Sequence, residues 1–310
     1  MIALVLWAVY STSRMIRILG TVFAGLMGLA FGSFLNVCLS RWPAGESVVA
    51  PRSHCRGCGH ALAWWENVPL ISWLGLRGRC RGCGGWIGWR YLVVEGAIGG
   101  LWAVPAWQLF REFPDPELPL LYVCDDLLLA FAWMLFYWLV VALAVLDAEH
   151  LWLPDRITLP GAAIGVLFTP IHELFVALSP MRDLTSTLID KVGWALLSNL
   201  LNMLMACGLV LLIRWVYRLI RRREGMGLGD AKLMAMLGAW LGLRGALLAF
   251  GLGVVIAALF ALGLLGVASV RKSAWGFRKL PLGTFLCVGG IVSSLWGERI
   301  IAAYLGWAGF

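Results

Sequence analysis

Long apolar runs alternate with short polar stretches along almost the whole chain. Eight of the runs approach the ~20 residues that an α-helix needs to cross ~30 Å of hydrocarbon. They fall at 17–40, 91–110, 121–146, 157–177, 192–219, 231–249, 250–270 and 283–306. The division between the sixth and seventh rests on Gly242-Leu243-Arg244-Gly245 or a nearby glycine pair as the turn. The pattern predicts an all-α polytopic membrane protein of about eight transmembrane helices, with one large polar insertion, 41–90, between the first two. Residues 1–14 are apolar too, but they lack the basic start and small-residue cleavage site of a signal peptide. The first span is therefore read from near Ile16, and Met15 is an alternative start for the chain.

Composition agrees, since 61% apolar and 14% charged residues with a mean hydropathy of +0.85 exclude a water-soluble globule of this length. Charge then sets orientation, because short loops rich in Lys and Arg stay cytoplasmic. Eighteen of the 25 basic residues fall in four polar regions: Arg41 to Arg90, Arg156, Arg214 to Lys232, and Arg271 to Lys279. With eight spans all four lie on one face, which is read as cytoplasmic. The formal charge of +8 thus reports topology, and no nucleic-acid partner is needed to explain it.

Inside the polar insertion, Cys55-Arg56-Gly57-Cys58 and Cys80-Arg81-Gly82-Cys83 are separated by 21 residues. Two such knuckles at that distance can set four thiolates tetrahedrally around zinc, and a reducing cytoplasm disfavours the disulfide alternative. The expectation is a structural zinc ribbon with no open coordination position, in which Gly57 and Gly82 ease the turn inside each knuckle. His54 and His60 flank the first knuckle as possible substitutes. Cys38, Cys124, Cys207 and Cys287 stand singly in apolar runs and read as core residues.

Two carboxylates follow long apolar runs: Asp147, and Asp230 at the end of Gly225-Met226-Gly227-Leu228-Gly229-Asp230. A carboxylate at the edge of hydrocarbon costs about 2.5–3.5 kcal/mol, so it is rarely kept without a use. Two that share one proton can act together on a peptide bond, the ionised one deprotonating water and the neutral one polarising the carbonyl. Gly227 and Gly229 supply backbone freedom and close approach beside Asp230. The competing reading makes Asp230 the N-cap of its helix. Asp155 is expected as a cap of the fourth span, Lys232 chiefly as a ligand for lipid phosphate, with a charge that lowers the pKa of a nearby carboxylate as its alternative, and Asn36 and Glu95 as polar groups facing the bundle.

Several stretches together resemble one family, the type IV prepilin peptidases, which are leader peptidases and N-methyltransferases of pilus and type II secretion systems. Gly32-Ser33-Phe34-Leu35-Asn36-Val37 closes the first span, and Glu66-Asn67-Val68-Pro69-Leu70-Ile71-Ser72-Trp73-Leu74 lies in the insertion. Leu146-Asp147-Ala148-Glu149-His150 and Gly227-Leu228-Gly229-Asp230-Ala231-Lys232-Leu233 are similar to its two catalytic boxes. The resemblance implies Asp147 and Asp230 as the catalytic pair, Cys55, Cys58, Cys80 and Cys83 as zinc ligands, and prepilins or pseudopilins as substrates. It also implies S-adenosylmethionine as methyl donor; no glycine-rich nucleotide loop is visible, and 41–90, with Glu66 and Asn67, is the expected contributor. The domain reading is 1–40 for the N-terminal segment and first span, 41–90 for the metal-binding region, 91–120 for the second span and outer loop, and 121–310 for the membrane-embedded peptidase. One departure is the interval of 83 residues between the aspartates, longer than the family's usual one. The surplus is placed near 169–190, as a variable non-cytoplasmic excursion.

Two rivals come from other classes. In a proton- or ion-coupled transporter the two aspartates would be binding sites between helices. The four-cysteine insertion and the lack of visible inverted repeats weigh against it. In an assembly scaffold, the zinc ribbon would hold a partner.

Overall fold

The computed structural model describes residues 2–112, 120–178, 188–223, 225–271 and 280–309. Among these, seven helices are long and apolar enough to cross a membrane. They are α1 (Ile2–Arg41), α3 (Arg90–Glu112), α4 (Leu120–His150), α5 (Asp155–Leu178), α6 (Leu188–Arg221), α7 (Leu228–Arg271) and α8 (Leu282–Ala308). A short helix, α2 (Ile71–Gly75), sits in the polar insertion. The expected sixth and seventh spans are the two halves of α7, which are separate helices meeting at Gly242, where φ is 68° and ψ 175°. Only glycine adopts that conformation without a Cβ penalty. The chain turns back there as expected: along α8, Gly290 meets Leu237 of the first half while Gly289 meets Ala249 of the second.

Two differences concern lengths. Helix α1 runs back to Ile2, although the membrane span it carries begins at Arg14, close to the expected start near Ile16. Most of the 169–190 stretch is helical, because α5 continues through Pro170, His172 and Glu173 to Leu178 and α6 begins at Leu188. The remainder of that expected excursion, 179–187, lies outside the described residues.

The chain forms two compact units that divide inside α4, Met1–Ala142 and Leu143–Phe310. In the first, α1 and α3 pack closely along a stripe of glycines. A methyl group on Gly28 would lie 2.8 Å from the Ile98 carbonyl, and one on Gly32 would lie 2.8 Å from the Glu95 Cα. Close backbone approach of this kind replaces the hydrophobic drive that lipid does not provide. Asn36 is buried, as expected of a group facing the bundle, and donates to the Tyr91 carbonyl at 3.1 Å.

In the second unit, α7 is flanked by α5, α6 and α8. The Trp240 indole donates to the Gly161 carbonyl at 2.8 Å, tying α7 to α5. Asn199 of α6 donates to the Gly165 carbonyl at 3.1 Å and to Thr169 Oγ1 at 2.7 Å, tying α6 to α5. Such side-chain bonds satisfy donors that would otherwise be costly in hydrocarbon. The buried floor between these helices is formed by Leu233, Met234, Met236, Leu237 and Leu286.

Candidate functional site

The polar insertion folds around its cysteines. In the first knuckle, Cys55 N–H donates to the His60 carbonyl and Gly59 N–H to the Cys55 carbonyl, both at 2.9 Å. The second repeats the pattern, with Cys80 N–H to the Gly85 carbonyl and Gly84 N–H to the Cys80 carbonyl, both at 2.8 Å. The residues that take positive φ are Gly59 and Gly84, at 72° and 71°, one place after each second cysteine. The expected turn glycines, Gly57 and Gly82, are not in that conformation. Gly82 is instead needed for space, since a methyl there would lie 3.1 Å from the His60 ring.

The four sulfurs of Cys55, Cys58, Cys80 and Cys83 lie within 4.8 Å of one another. The separations of 3.9 Å for Cys55–Cys83 and 4.0 Å for Cys58–Cys80 are close to the ~3.8 Å edge of a tetrahedron with ~2.3 Å metal–sulfur bonds. The amides of Gly57 and Cys58 bring the Cys55 thiol down to about 7, toward the thiolate a metal requires. The two histidines stand outside the group: His54 Nδ1 lies 3.0 Å from the Arg52 carbonyl and His60 Nε2 3.3 Å from Glu66.

Beside this cluster, and within the same unit, is a cavity of about 280 Å³. Arg41, Glu46, Glu66, Trp73, Tyr91 and Glu95 are among its lining residues. Glu66 is buried, and its Oε2 accepts the Ala63 N–H at 2.8 Å. That amide and the neighbouring His60 hold its carboxyl below the ordinary glutamate range. Its Oε1 is buried without a hydrogen-bond partner among the described residues. Glu95 on α3 accepts the Leu70 N–H at 2.8 Å, where Leu70 has the unusual φ of 57°.

In the second unit the two aspartates come together although they stand on different helices. Asp147 is buried in the last turn of α4, and that helix ends when Leu151 takes a φ of 52° and donates its N–H to the Asp147 carbonyl at 2.9 Å. Asp230 is half-buried in the first turn of α7 and accepts the Gly227 N–H at 3.0 Å. It is therefore not the N-cap: with Gly227 in that place, Asp230 reaches back from the third helical position, one half of a capping box. Both aspartates stand beside one side chain, Leu153, which lies 3.1 Å from where a methyl on Gly229 would sit and 2.9 Å from one on Gly283.

The glycines before Asp230 act through space, and none of Gly225, Gly227 and Gly229 takes positive φ. A methyl on Gly225 would lie 2.6 Å from the Tyr217 ring, and one on Gly227 3.3 Å from Asp230 Oδ2. Arg214 of α6 donates to the Met226 carbonyl at 2.9 Å and pins the loop from below. Lys232 donates to Asp155 at 2.6 Å, so the lysine expected on lipid phosphate ties the start of α7 to the first turn of α5. Sequence reasoning missed Gly283 and Thr284 at the start of α8. Thr284 N–H donates to Asp147 Oδ2 at 2.7 Å, and a methyl on Gly283 would lie 2.9 Å from the same oxygen. The one available signal was that Pro281-Leu282-Gly283 opens a helix after a basic stretch, the same side as both aspartates.

Comparison with known proteins points the same way. Residues 26–109 match the model of the bacterial peptidase A24 N-terminal domain, and residues 134–262 that of the type IV leader peptidase family. The chain is 33% identical over 309 residues to a prepilin leader peptidase/N-methyltransferase of Dichelobacter nodosus, covering 91% of this chain and 93% of that one. The proteins of the same name from Pseudomonas aeruginosa and Stutzerimonas stutzeri are 32% and 30% identical, over 92% and 91% of this chain and 93% of each relative. No solved structure matches the chain. With a paired-carboxylate site and a four-cysteine module in a scaffold of membrane-spanning helices, and with relatives similar over nine-tenths of its length, the chain belongs to the type IV leader peptidase family.

Proposed function

We propose that the protein is a membrane aspartic endopeptidase that removes the leader of type IV prepilins or pseudopilins and then methylates the new N-terminus. The observation that carries this reading is the convergence of Asp147 and Asp230 from separate helices, each with Oδ2 occupied by a backbone N–H. With one oxygen held, the other of each carboxyl can face water and the scissile bond. One aspartate, ionised, takes a proton from water as the water oxygen attacks the carbonyl carbon. The other, neutral, gives its proton to the carbonyl oxygen, and collapse of the tetrahedral species passes a proton to the leaving nitrogen. The excess of Lys and Arg in 41–90 and around 214–232 supports a cytoplasmic active face in a bacterial inner membrane.

The four-cysteine group fits zinc by its donor set and sulfur spacing, and a closed set of four thiolates supplies folding energy and no chemistry. The cavity beside it fits S-adenosylmethionine, whose sulfonium supplies the methyl group. A cation of that kind favours carboxylates and aromatic faces, and the cavity combines Glu66, with its unpartnered Oε1, with Glu95, Trp73 and Tyr91. No observation favours transport.

The test is leader cleavage of a prepilin in detergent by Asp147→Asn and Asp230→Asn proteins that elute as the wild type does and keep their metal. Each is expected to lose at least ~10³-fold in kcat, because neither amide can exchange the proton. Cleavage by either at near the wild-type rate would remove that aspartate from the pair.

A further inference from the structure

We propose that Thr284, at the start of α8, is the positioning residue that fixes Asp147 for attack. The inference rests on the aspartate-pair reading above. Helix α8 opens with Pro281 at its N-cap, a residue with no side-chain acceptor, and no side-chain cap bond is formed there. Its first-turn amides therefore need an acceptor from elsewhere. Asp147 of α4 provides it: Oδ2 takes the Thr284 N–H at 2.7 Å. The catalytic carboxyl thus serves as a cap in trans, and the start of α8 in return fixes which way that carboxyl points.

The hydroxyl of Thr284 adds what a backbone amide alone would lack. Its oxygen lies 2.9 Å from the Ala144 carbonyl and 3.3 Å from Asp147 Oδ2, so one proton is shared between the two acceptors. Ala144 precedes Asp147 by one turn of α4. The threonine therefore grips the backbone of that turn and the carboxyl it carries at once, which holds both the α4–α8 spacing and the rotamer of Asp147. Gly283 lets the strap lie this close, since a methyl there would sit 2.9 Å from Oδ2. With Oδ2 committed to donors on α8, Oδ1 is the atom of Asp147 that receives the proton of the attacking water. Asp230, tied to Gly227 of its own helix, needs no such strap.

Thr284→Val keeps the amide and the volume but loses the hydroxyl. Removing one hydrogen bond at a charged group corresponds to about ten- to hundredfold. The expected result is a fall of that size in kcat for leader cleavage, with KM for the prepilin within about twofold of wild type. Thr284→Ser, which keeps both bonds, is expected to return kcat to within about threefold. Thr284→Cys, similar in size with a weak donor, gives the same comparison if the valine protein is poorly folded, and is expected to be slow. Bound zinc and methylation of a pre-cleaved pilin peptide should be unchanged in all three, which separates positioning from general damage. A valine or cysteine protein with wild-type kcat, a loss confined to KM, or a serine protein as slow as the valine one would overturn the proposal. Asp147→Asn, run alongside, distinguishes the two levels. If it cleaves normally, the aspartate pair itself is wrong; if it is inactive while the valine protein is normal, only the role of Thr284 is.

Discussion

Helix α7 carries Asp230, and its position against α6 is set by one glycine. A methyl group on Gly238 would lie 2.7 Å from the Ala206 Cβ and 2.7 Å from the Asn202 carbonyl oxygen. Unstrained contacts are ~3.5–4.0 Å between carbons and ~3.3–3.6 Å between carbon and a carbonyl oxygen. Gly238→Ala must therefore move α7 from α6 by roughly 1 Å, and the carbonyl, being backbone, cannot swing aside. Overpacking of this kind costs about 1–3 kcal/mol, partly offset by up to ~1 kcal/mol of better helix propensity. A net loss of ~1–2 kcal/mol corresponds to roughly 2–8 °C in the unfolding midpoint of a unit this size. Asp230 lies eight residues earlier on the same rigid helix, so a displacement near 1 Å at the carboxyl should slow cleavage by ~10²-fold. Gly251→Ala is the control: it lies in a helix past the Gly242 break, with nothing within 4 Å of the added methyl, and it should be neutral or slightly stabilising. Tryptophan fluorescence during thermal unfolding in detergent, together with kcat for leader cleavage, reads both effects. If Gly238→Ala were as stable and as active as Gly251→Ala, the claim that this contact positions Asp230 would be wrong.

Other substitutions test the remaining parts. Elemental analysis of the purified protein should give about one zinc per chain, from four thiolates around one ion, and Cys80→Ser or Cys83→Ser should lower it sharply; unchanged metal would exclude the four-cysteine site. Glu66→Gln should weaken methyl transfer while leader cleavage continues at its normal rate, measured by mass spectrometry of the mature pilin; loss of both activities together would refute separate sites. Lys232→Met breaks an exposed ion pair with Asp155, of a kind worth about 0–1 kcal/mol, so cleavage should fall by less than about fivefold; abolition of activity would show that the lysine acts on the chemistry.

Much of the candidate site was legible because its chemistry is local in sequence. Two CxxC pairs carry their knuckle geometry with them, and a carboxylate after a long apolar run is conspicuous anywhere. Roles that depend on backbone angles or on distant partners were not legible. The turn glycines of the knuckles proved to be Gly59 and Gly84, because a hydrogen bond from the residue after the second cysteine closes each loop. The glycines before Asp230 serve Tyr217 and Leu153 as empty space, and nothing in a glycine's neighbours announces which side chain will fill its missing Cβ. Lys232 was read as a lipid contact because its partner, Asp155, lies 77 residues away.

The amino-acid sequence by itself determined that this is a helical membrane protein and where its apolar helices run, and it singled out the aspartates and cysteines of the candidate sites. Those follow from the cost of moving charge and backbone polar groups into hydrocarbon, a cost paid residue by residue. Only the tertiary structure decided that Asp230 reaches back to the Gly227 amide, that Lys232 pairs with Asp155, and that Asp147 caps α8 through Thr284, 137 residues away. Those depend on which helices meet and at what spacing, and that is fixed by the packing of small residues between elements that no local pattern encodes.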